Sequence, residues 1–409
     1  MRHSRTTRHR IALGLWLLAA MIPFGQVAGA ADDALDWNRA VDKARGQTVY
    51  WNAWGGDDSI NAYIDWVGQR VKEDYGVTLI HVKVGDISET VRRILAEKAA
   101  GRESGGSVDL MWINGENFKS MKDNGLLFGP FADALPNRDL IDTQENPAIL
   151  RDFTVPTDGY ESPWGGAKLI FIHDTARLAS PPRDAASLLA YARANPGRVT
   201  YPAPPNFLGT TFLKQVLYEL VDDPSVLLTP VGDDFDAVTA PLWDYLTALH
   251  ANLWREGRDY PATEDDLIGL LDDGSVDIAL AFNPAKASNA IEQGRLVETA
   301  RTYVPDVGSI GNTHYVAIPF NASAKEGATV VANFLLSPEA QARKQDPRVW
   351  GDPTVLSVSR LSMEEKALFD ALPRGVATLP PAALGRTLPE PHPTWMTRIE
   401  EVWLRRYGA

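Results

Sequence analysis

The 409-residue sequence contains no cysteine. That absence excludes disulfides, cysteine-ligated metals, a thiol nucleophile and a lipid-bearing cysteine behind a secretion signal. Histidine is sparse. Beyond residue 30 there are only His81, His173, His250, His314 and His392, without i,i+4 pairing or metal-ligand spacing. No G-x-S-x-G elbow, H-E-x-x-H helix, Walker loop or G-x-G-x-x-G turn occurs. The 53 acidic residues are too many for a catalytic pair to be chosen without geometry. The expectation is therefore a protein that is not an enzyme and needs no metal and no cofactor. A long hydrophobic run is missing too. The apolar stretch from Ile11 to Ile22 is interrupted by Pro23, Gly25 and Gln26, short of the roughly 20 residues that span a bilayer.

What stands at the start is a secretion signal. Arg2, Arg5, Arg8 and Arg10 precede the apolar run, and Ala28-Gly29-Ala30 precedes Ala31. A basic region, a short apolar region and small residues at a cleavage point define a signal peptide over 1–30, cut at Ala30–Ala31. The predicted location is periplasmic, with no membrane insertion after cleavage. Removing four arginines leaves 36 basic against 53 acidic residues, a net of −17. So acidic a surface repels nucleic acid and anionic lipid and suits neutral or cationic small molecules. About 380 residues remain, comfortable for two domains.

The first half alternates strands and helices. Gln47 to Asn52 is a strand, followed by the turn signal Gly55-Gly56. A helix then carries Ile60, Tyr63, Ile64, Val67 and Val71 on one face and stops at Gly76. Val77 to Val84 is a second strand, and Ser88 caps a helix with Val91, Ile94 and Leu95 inward. Val108 to Ile113 is a third strand, before a short helix from Glu116 to Asn124. This order predicts an α/β wound sheet with right-handed parallel crossovers. Ligands of such sheets bind beyond the carboxyl ends of the strands.

That rule selects the loops Asn52-Ala-Trp54-Gly55-Gly56-Asp57 and Trp112-Ile-Asn114-Gly115-Glu116-Asn117-Phe118. Glycines there let backbone N–H groups approach a ligand beside a helix N-terminus. Trp54, Gly55, Trp112, Asn114 and Glu116 are the first-half candidates. Local packing of the tryptophans and helix capping by Asn114 or Glu116 are the plain alternatives. In the second half, Lys168 to His173, Arg198 to Tyr201, Val276 to Ala281 and Tyr315 to Ile318 read as strands. Helices follow Ser180-Pro181-Pro182 and Pro204-Pro205-Asn206-Phe207. Tyr201, Phe207, Thr210 and Asn283 join the candidates, as does His314 in the glycine-bracketed loop Gly308 to His314.

The order of segments resembles extracellular solute-binding proteins of ABC importers. Asn124-Gly125-Leu-Leu, Ser162-Pro163-Trp164-Gly165-Gly166, Thr313 to Ala322 and Ser337-Pro338-Glu339-Ala340-Gln341 carry the likeness. Trp51 to Gly56, Trp112 to Phe118 and Trp350-Gly351-Asp352 are similar to the YnjB-like branch, related to thiamine- and iron-binding periplasmic proteins. No adjacent Tyr-Tyr pair of the iron-binding kind is present. The resemblance implies a type II, Venus-flytrap architecture of two lobes joined by crossing strands. Lobe 1 would comprise 31–164 and about 314–355, and lobe 2 would comprise 165–313 and about 356–409. It adds Trp164, Trp350 and Trp395 to the candidates, with helix packing the alternative for Trp395 and Trp403. The implied partners are a small-molecule solute and a membrane permease, and the implied state is a monomer. Stacking aromatics in an acidic protein suit a flat or cationic solute, thiamine-like in kind. The alternatives are a secreted carbohydrate-binding or carbohydrate-active protein and a structural or chaperone-like periplasmic protein.

Overall fold

A computed structural model describes residues 37–408 except Glu145. The expected signal peptide lies outside the described residues, none of whose helices is long and apolar enough to cross a membrane.

Thr48–Trp54 (β1) encloses Val49, Trp51 and Ala53. The helix Asp58–Tyr75 follows because Asp57 Oδ1 accepts the N–H groups of Ser59 (2.8 Å) and Ile60 (3.1 Å), satisfying donors that a helix start leaves unpaired. Gly76 ends it at φ 70°. Thr78–Val84 (β2), the helix Ser88–Ala99 and Leu110–Ile113 (β3) complete the expected unit, and β1 pairs parallel with both β2 and β3. Ser88 is not the cap of its helix. It is the first helical residue, and Asp86 Oδ1 accepts its N–H at 2.7 Å.

The hairpin Arg151–Asp152 (β4) and Val155–Pro156 (β5) turns through Phe153 and Thr154 at φ 42° and 78°. Glu161–Lys168 (β6) runs almost directly into Ile170–Asp174 (β7), and Ile278–Ala281 (β8) and Ala300–Tyr303 (β9) flank β7, both antiparallel. Ser309–Ala317 (β10) then returns. Its later residues pair antiparallel with β3, its length pairs antiparallel with β6, and its start pairs parallel with Thr387–Leu388 (β11). Gly308 to His314, read above as a loop, is thus mostly strand, paired first with β11 and then with β6. Arg198–Tyr201 is not a strand. Only Val199 bridges Ile278, while the Val199 carbonyl accepts from Trp254 N–H and the Arg198 carbonyl from Asp277 N–H.

Strand alternation sends Leu110 and Trp112 to one face of the first sheet and Met111 and Ile113 to the other. On the first face Trp51, Tyr63, Trp164, Phe334 and Trp350 form a core with the helices Asp58–Tyr75 and Lys325–Leu335. A smaller cluster around Val91, Ile94, Phe118 and Met121 covers the other face. A separate large core forms on the β7–β9 sheet, from Phe212, Leu213, Leu246, Trp395 and Trp403 among others. β6–β7 and β9–β10 pass from one core to the other. The chain after Trp350 serves both cores in turn: Leu356, Leu361 and Phe369 pack in the first, and Ala377, Leu388 and Trp395 in the second.

Candidate functional site

At the junction of β3, β6 and β10 four rings form one wall. Trp112 meets Trp164 edge-on at 4.9 Å and His314 edge-on at 4.8 Å. His314 lies nearly parallel to Trp350, 6.0 Å away, and Trp164 lies 5.4 Å from Trp350. Trp164 and Trp350 are buried, whereas Trp112 and His314 are partly exposed. The edge-to-face pairings match the ring quadrupoles. His314 Nε2 is 3.1 Å from Asp352 Oδ1, and its buried Nδ1 has no partner. Asp352 in turn holds buried Lys344. A side chain at Gly165 would collide with both Asp352 and His314, so this close approach requires glycine.

The loops beyond β1 and β3 flank the wall. Trp54 ends β1 37% exposed, the most open tryptophan of the candidate set. Gly55 donates its N–H to Val84 O at 3.1 Å. Asn114 precedes the helix Gly115–Asp123 without capping it through its side chain. Instead the carboxylate of Asp152, in β4, accepts Gly115 N–H at 2.6 Å. Gly115 itself sits at φ 63° against the Phe153 ring. Glu116 accepts from Asn117 Nδ2 at 2.7 Å.

Across from these loops stand residues of the second core. Phe207, at the start of the helix Phe207–Leu220, packs 6.3 Å from Phe153 and 5.4 Å from Phe282. Lys214 Nζ lies over both Phe153 and Phe207, 4.8 and 5.1 Å from the ring centres, and pairs with buried Glu390. Buried Thr210 donates its hydroxyl to Glu400 Oε1 at 2.7 Å. Glu400 belongs to the helix Pro393–Tyr407, which packs on the helix Gly115–Asp123 bearing Glu116. Burial pushes Glu116 up to about 7, with the Glu400 charge adding to the shift and Lys214 opposing it. Burial likewise brings Glu400 to about 7.

Between 4.5, the ordinary glutamate value, and 7 the folded protein holds more protons at these two sites than the unfolded chain. Stability from that difference is present below pH 4.5 and is lost as pH rises through 7. A Glu116→Gln/Glu400→Gln variant should therefore lose less stability from pH 4.5 to 8 than the parent, by about 1–3 kcal/mol. Urea midpoints at the two pH values check this.

A second contact between the cores involves Lys286. Its Nζ reaches Asp57 Oδ2 at 2.7 Å, Glu264 at 3.1 Å and Asp265 at 2.7 Å. Burial opposes its charge, and the three carboxylates together hold its pKa above the ordinary lysine value. Nearby, Asn283 Nδ2 donates to the Trp350 carbonyl at 2.8 Å.

The structure brings Trp112, Trp164, His314 and Trp350 into one wall, and packs the helix that Asn114 precedes, bearing Glu116, on the helix whose Glu400 accepts from Thr210. It places Tyr201 and Trp395 elsewhere, in the second core. Tyr201 is wholly buried, its hydroxyl 2.7 Å from His250 Nε2 and accepting Trp403 Nε1 at 3.0 Å. Trp395 stacks on Phe235 and donates to the Thr229 carbonyl. Sequence reasoning missed Asp152, Phe153, Lys214, Lys286, Glu390 and Glu400. None lies in a motif, and only the fold brings them together.

Among known proteins, the chain matches the bacterial extracellular solute-binding protein family over residues 66–367. It is 47% identical over 396 residues to protein YnjB of Escherichia coli K12, a match covering 96% of this chain and 98% of that protein. Solved structures of similar fold include the spermidine/putrescine ABC transporter substrate-binding protein PotD from Streptococcus pneumoniae (TM-score 0.58, 15% identity, 88% of this chain and 98% of that one). Another is the periplasmic binding protein AfuA from Actinobacillus pleuropneumoniae, with fructose-6-phosphate bound (TM-score 0.61, 15% identity, 88% and 98%). The family match and the near-full-length relative have one reading: the chain belongs to the bacterial extracellular solute-binding protein family.

Proposed function

We propose that this protein, exported through a signal peptide over 1–30, captures a small flat or cationic solute between its two lobes in the periplasm. It then presents the solute, chemically unchanged, to the permease of an ABC importer. The observation that carries this reading is the meeting of both cores beyond the carboxyl ends of β1 and β3. There Phe153 touches Phe207 and Lys286 touches Asp57. A solute contacting both lobes favours the closed arrangement by its differential affinity. The return segment of lobe 1 runs in this proposal to about residue 372, because Leu361, Phe369 and Leu372 pack on the first core. Lobe 2 then takes the remainder to the C-terminus.

Trp54 and the partly exposed Trp112 and His314, on opposite faces at the end of the first sheet, supply the aromatic contacts in this proposal, and Asn114, Glu116 and Phe207 the surrounding ones. A neighbour in fold is named for spermidine and putrescine and another holds a sugar phosphate, so the solute class is read here from the residues. Trp54→Ala tests the reading. If the indole stacks on the solute, affinity falls at least tenfold, the scale of about 1–3 kcal/mol for such a contact. At 37% exposed, Trp54 adds little to folding, and the ligand-free melting temperature moves by only a few degrees. Calorimetric titration and thermal melts on one preparation decide it; lost stability with unchanged affinity removes Trp54 from the site.

A further inference from the structure

We propose that Lys286 and Asp57 form a latch between the two lobes, one that favours closure before any solute arrives. This inference rests on the solute-binding reading above and adds a closing device that belongs to the chain itself.

Each half of the latch is anchored in its own core. Lys286 opens the helix Lys286–Glu292, whose Ala287 and Ala290 pack in the second core. Its buried ammonium is held from that side by Glu264 at 3.1 Å and Asp265 at 2.7 Å, just ahead of Leu267 and Ile268 of the same core. Both carboxylates are themselves tied. Glu264 Oε2 accepts Phe282 N–H at 3.1 Å, and Asp265 Oδ2 accepts from Arg295 at 2.8 Å. The third partner, Asp57 Oδ2 at 2.7 Å, comes from the first core. Its other oxygen serves the N–H groups of Ser59 and Ile60, so the carboxylate is oriented whether or not the lysine is there. Side-chain freedom lost on pairing is much of what weakens exposed ion pairs, and here both partners are ordered beforehand.

The count of charges decides how the latch opens. Three carboxylates meet one ammonium, so Lys286 keeps two of them when Asp57 leaves. Asp57, buried in the contact, returns to water. Opening thus breaks a charge-assisted contact without stranding a buried charge, which is what a reversible catch requires. A second contact lies alongside it. Gln293 Nε2, just past the end of the helix that Lys286 opens, donates to Ser59 Oγ at 3.1 Å, and Arg295 holds the Gln293 side-chain oxygen. One short helix of the second core therefore grips one helix start of the first at two points. Neither contact has a place for solute between its partners. Such a latch raises the closed fraction of the empty protein, and affinity for a solute that selects the closed form rises with that fraction.

The test uses the full mature chain, whose lack of cysteine leaves it free for spin labels at Asp42→Cys and Asp236→Cys. These exposed positions lie on the helices Trp37–Ala44 and Phe235–His250, one packed in each core. Pulsed electron resonance then reads the distance between lobes without solute. A short distance should predominate in the parent, and Asp57→Asn should shift the population to a longer one. Glu264→Gln also removes one negative charge from Lys286, but from its own core, and should leave the short distance predominant. Circular dichroism should show both variants folded. A parent with the long distance predominant overturns the latch, as does a distribution that Asp57→Asn leaves unchanged or that both variants shift equally. The same samples are then exposed to the small-molecule fraction of a periplasmic extract, and any captured solute is identified by mass. Capture alongside a failed latch leaves the solute-binding reading intact. Capture of nothing overturns that reading and the latch with it.

Discussion

Replacing Asp352 by alanine should cost about 3–5 kcal/mol of folding stability, the effect of stranding a buried charge. Asp352 is 1% exposed and Lys344 is fully buried. The lysine gives its protons to Asp352 Oδ2, the Asp352 carbonyl and the Pro353 carbonyl. Burial lowers the Lys344 pKa, and the Asp352 charge is what opposes that. Without the carboxylate two carbonyl dipoles would remain for a full positive charge, and His314 would lose the contact that fixes its ring in the wall. Lys344→Met/Asp352→Leu should recover most of the loss, because a buried pair exchanged for apolar groups is near neutral. Urea unfolding of the single and double variants gives the coupling directly. A loss below about 1 kcal/mol for Asp352→Ala, the range of an exposed pair, would show that the pair does not hold the segment after Trp350.

Trp164→Ala should be comparably damaging, at about 3–5 kcal/mol, through lost burial and the cavity left behind. Its ring is wholly buried and touches Trp51 (5.4 Å), Tyr63 (6.3 Å), Trp112 (4.9 Å) and Trp350 (5.4 Å). Its carbonyl accepts from Gln341 Nε2 at 2.7 Å, fixing β6 to the helix Pro338–Gln345. The expected signature opposes that of Trp54→Ala: a large fall in the urea midpoint of ligand-free protein, accompanied by weaker binding because Trp112 loses its backing. Trp164→Phe fills part of the cavity and should recover part of both. If affinity fell while stability held, the Trp164 indole would touch solute and not merely support the wall.

The first sheet was legible because its signals are local. Asp57 before an amphipathic run and Gly76 after it mark a helix whatever surrounds them. The aromatic wall was legible in its members, since Trp112, Trp164, His314 and Trp350 all lie in stretches distinctive in sequence. Their convergence was not, because it depends on the register of β10 against β3 and β6. The same limit misassigned Gly308 to His314. Its glycines read as a loop, while pairing with strands distant in sequence makes it regular. Tyr201 and Trp395 show the converse limit. Both are candidates in sequence, with helix packing the alternative for Trp395, and both lie in the second core, where the C-terminal helix brings Trp403 to the Tyr201 hydroxyl. Glu400 was invisible for a related reason: a glutamate on an amphipathic helix reads as a solvated face until the helix it meets is known.

Asp57 gives its two oxygens to two different structures. One anchors the first turn of the helix Asp58–Tyr75, and the other reaches Lys286 in the opposite core. The element that would sense separation of the lobes is thus built into the foundation of the first lobe. Amide exchange at Ser59 and Ile60 should then quicken wherever the Asp57–Lys286 contact opens, without an attached label. Asp57→Asn would keep an acceptor for the helix start while removing the one of Lys286's three carboxylate partners that comes from the first core.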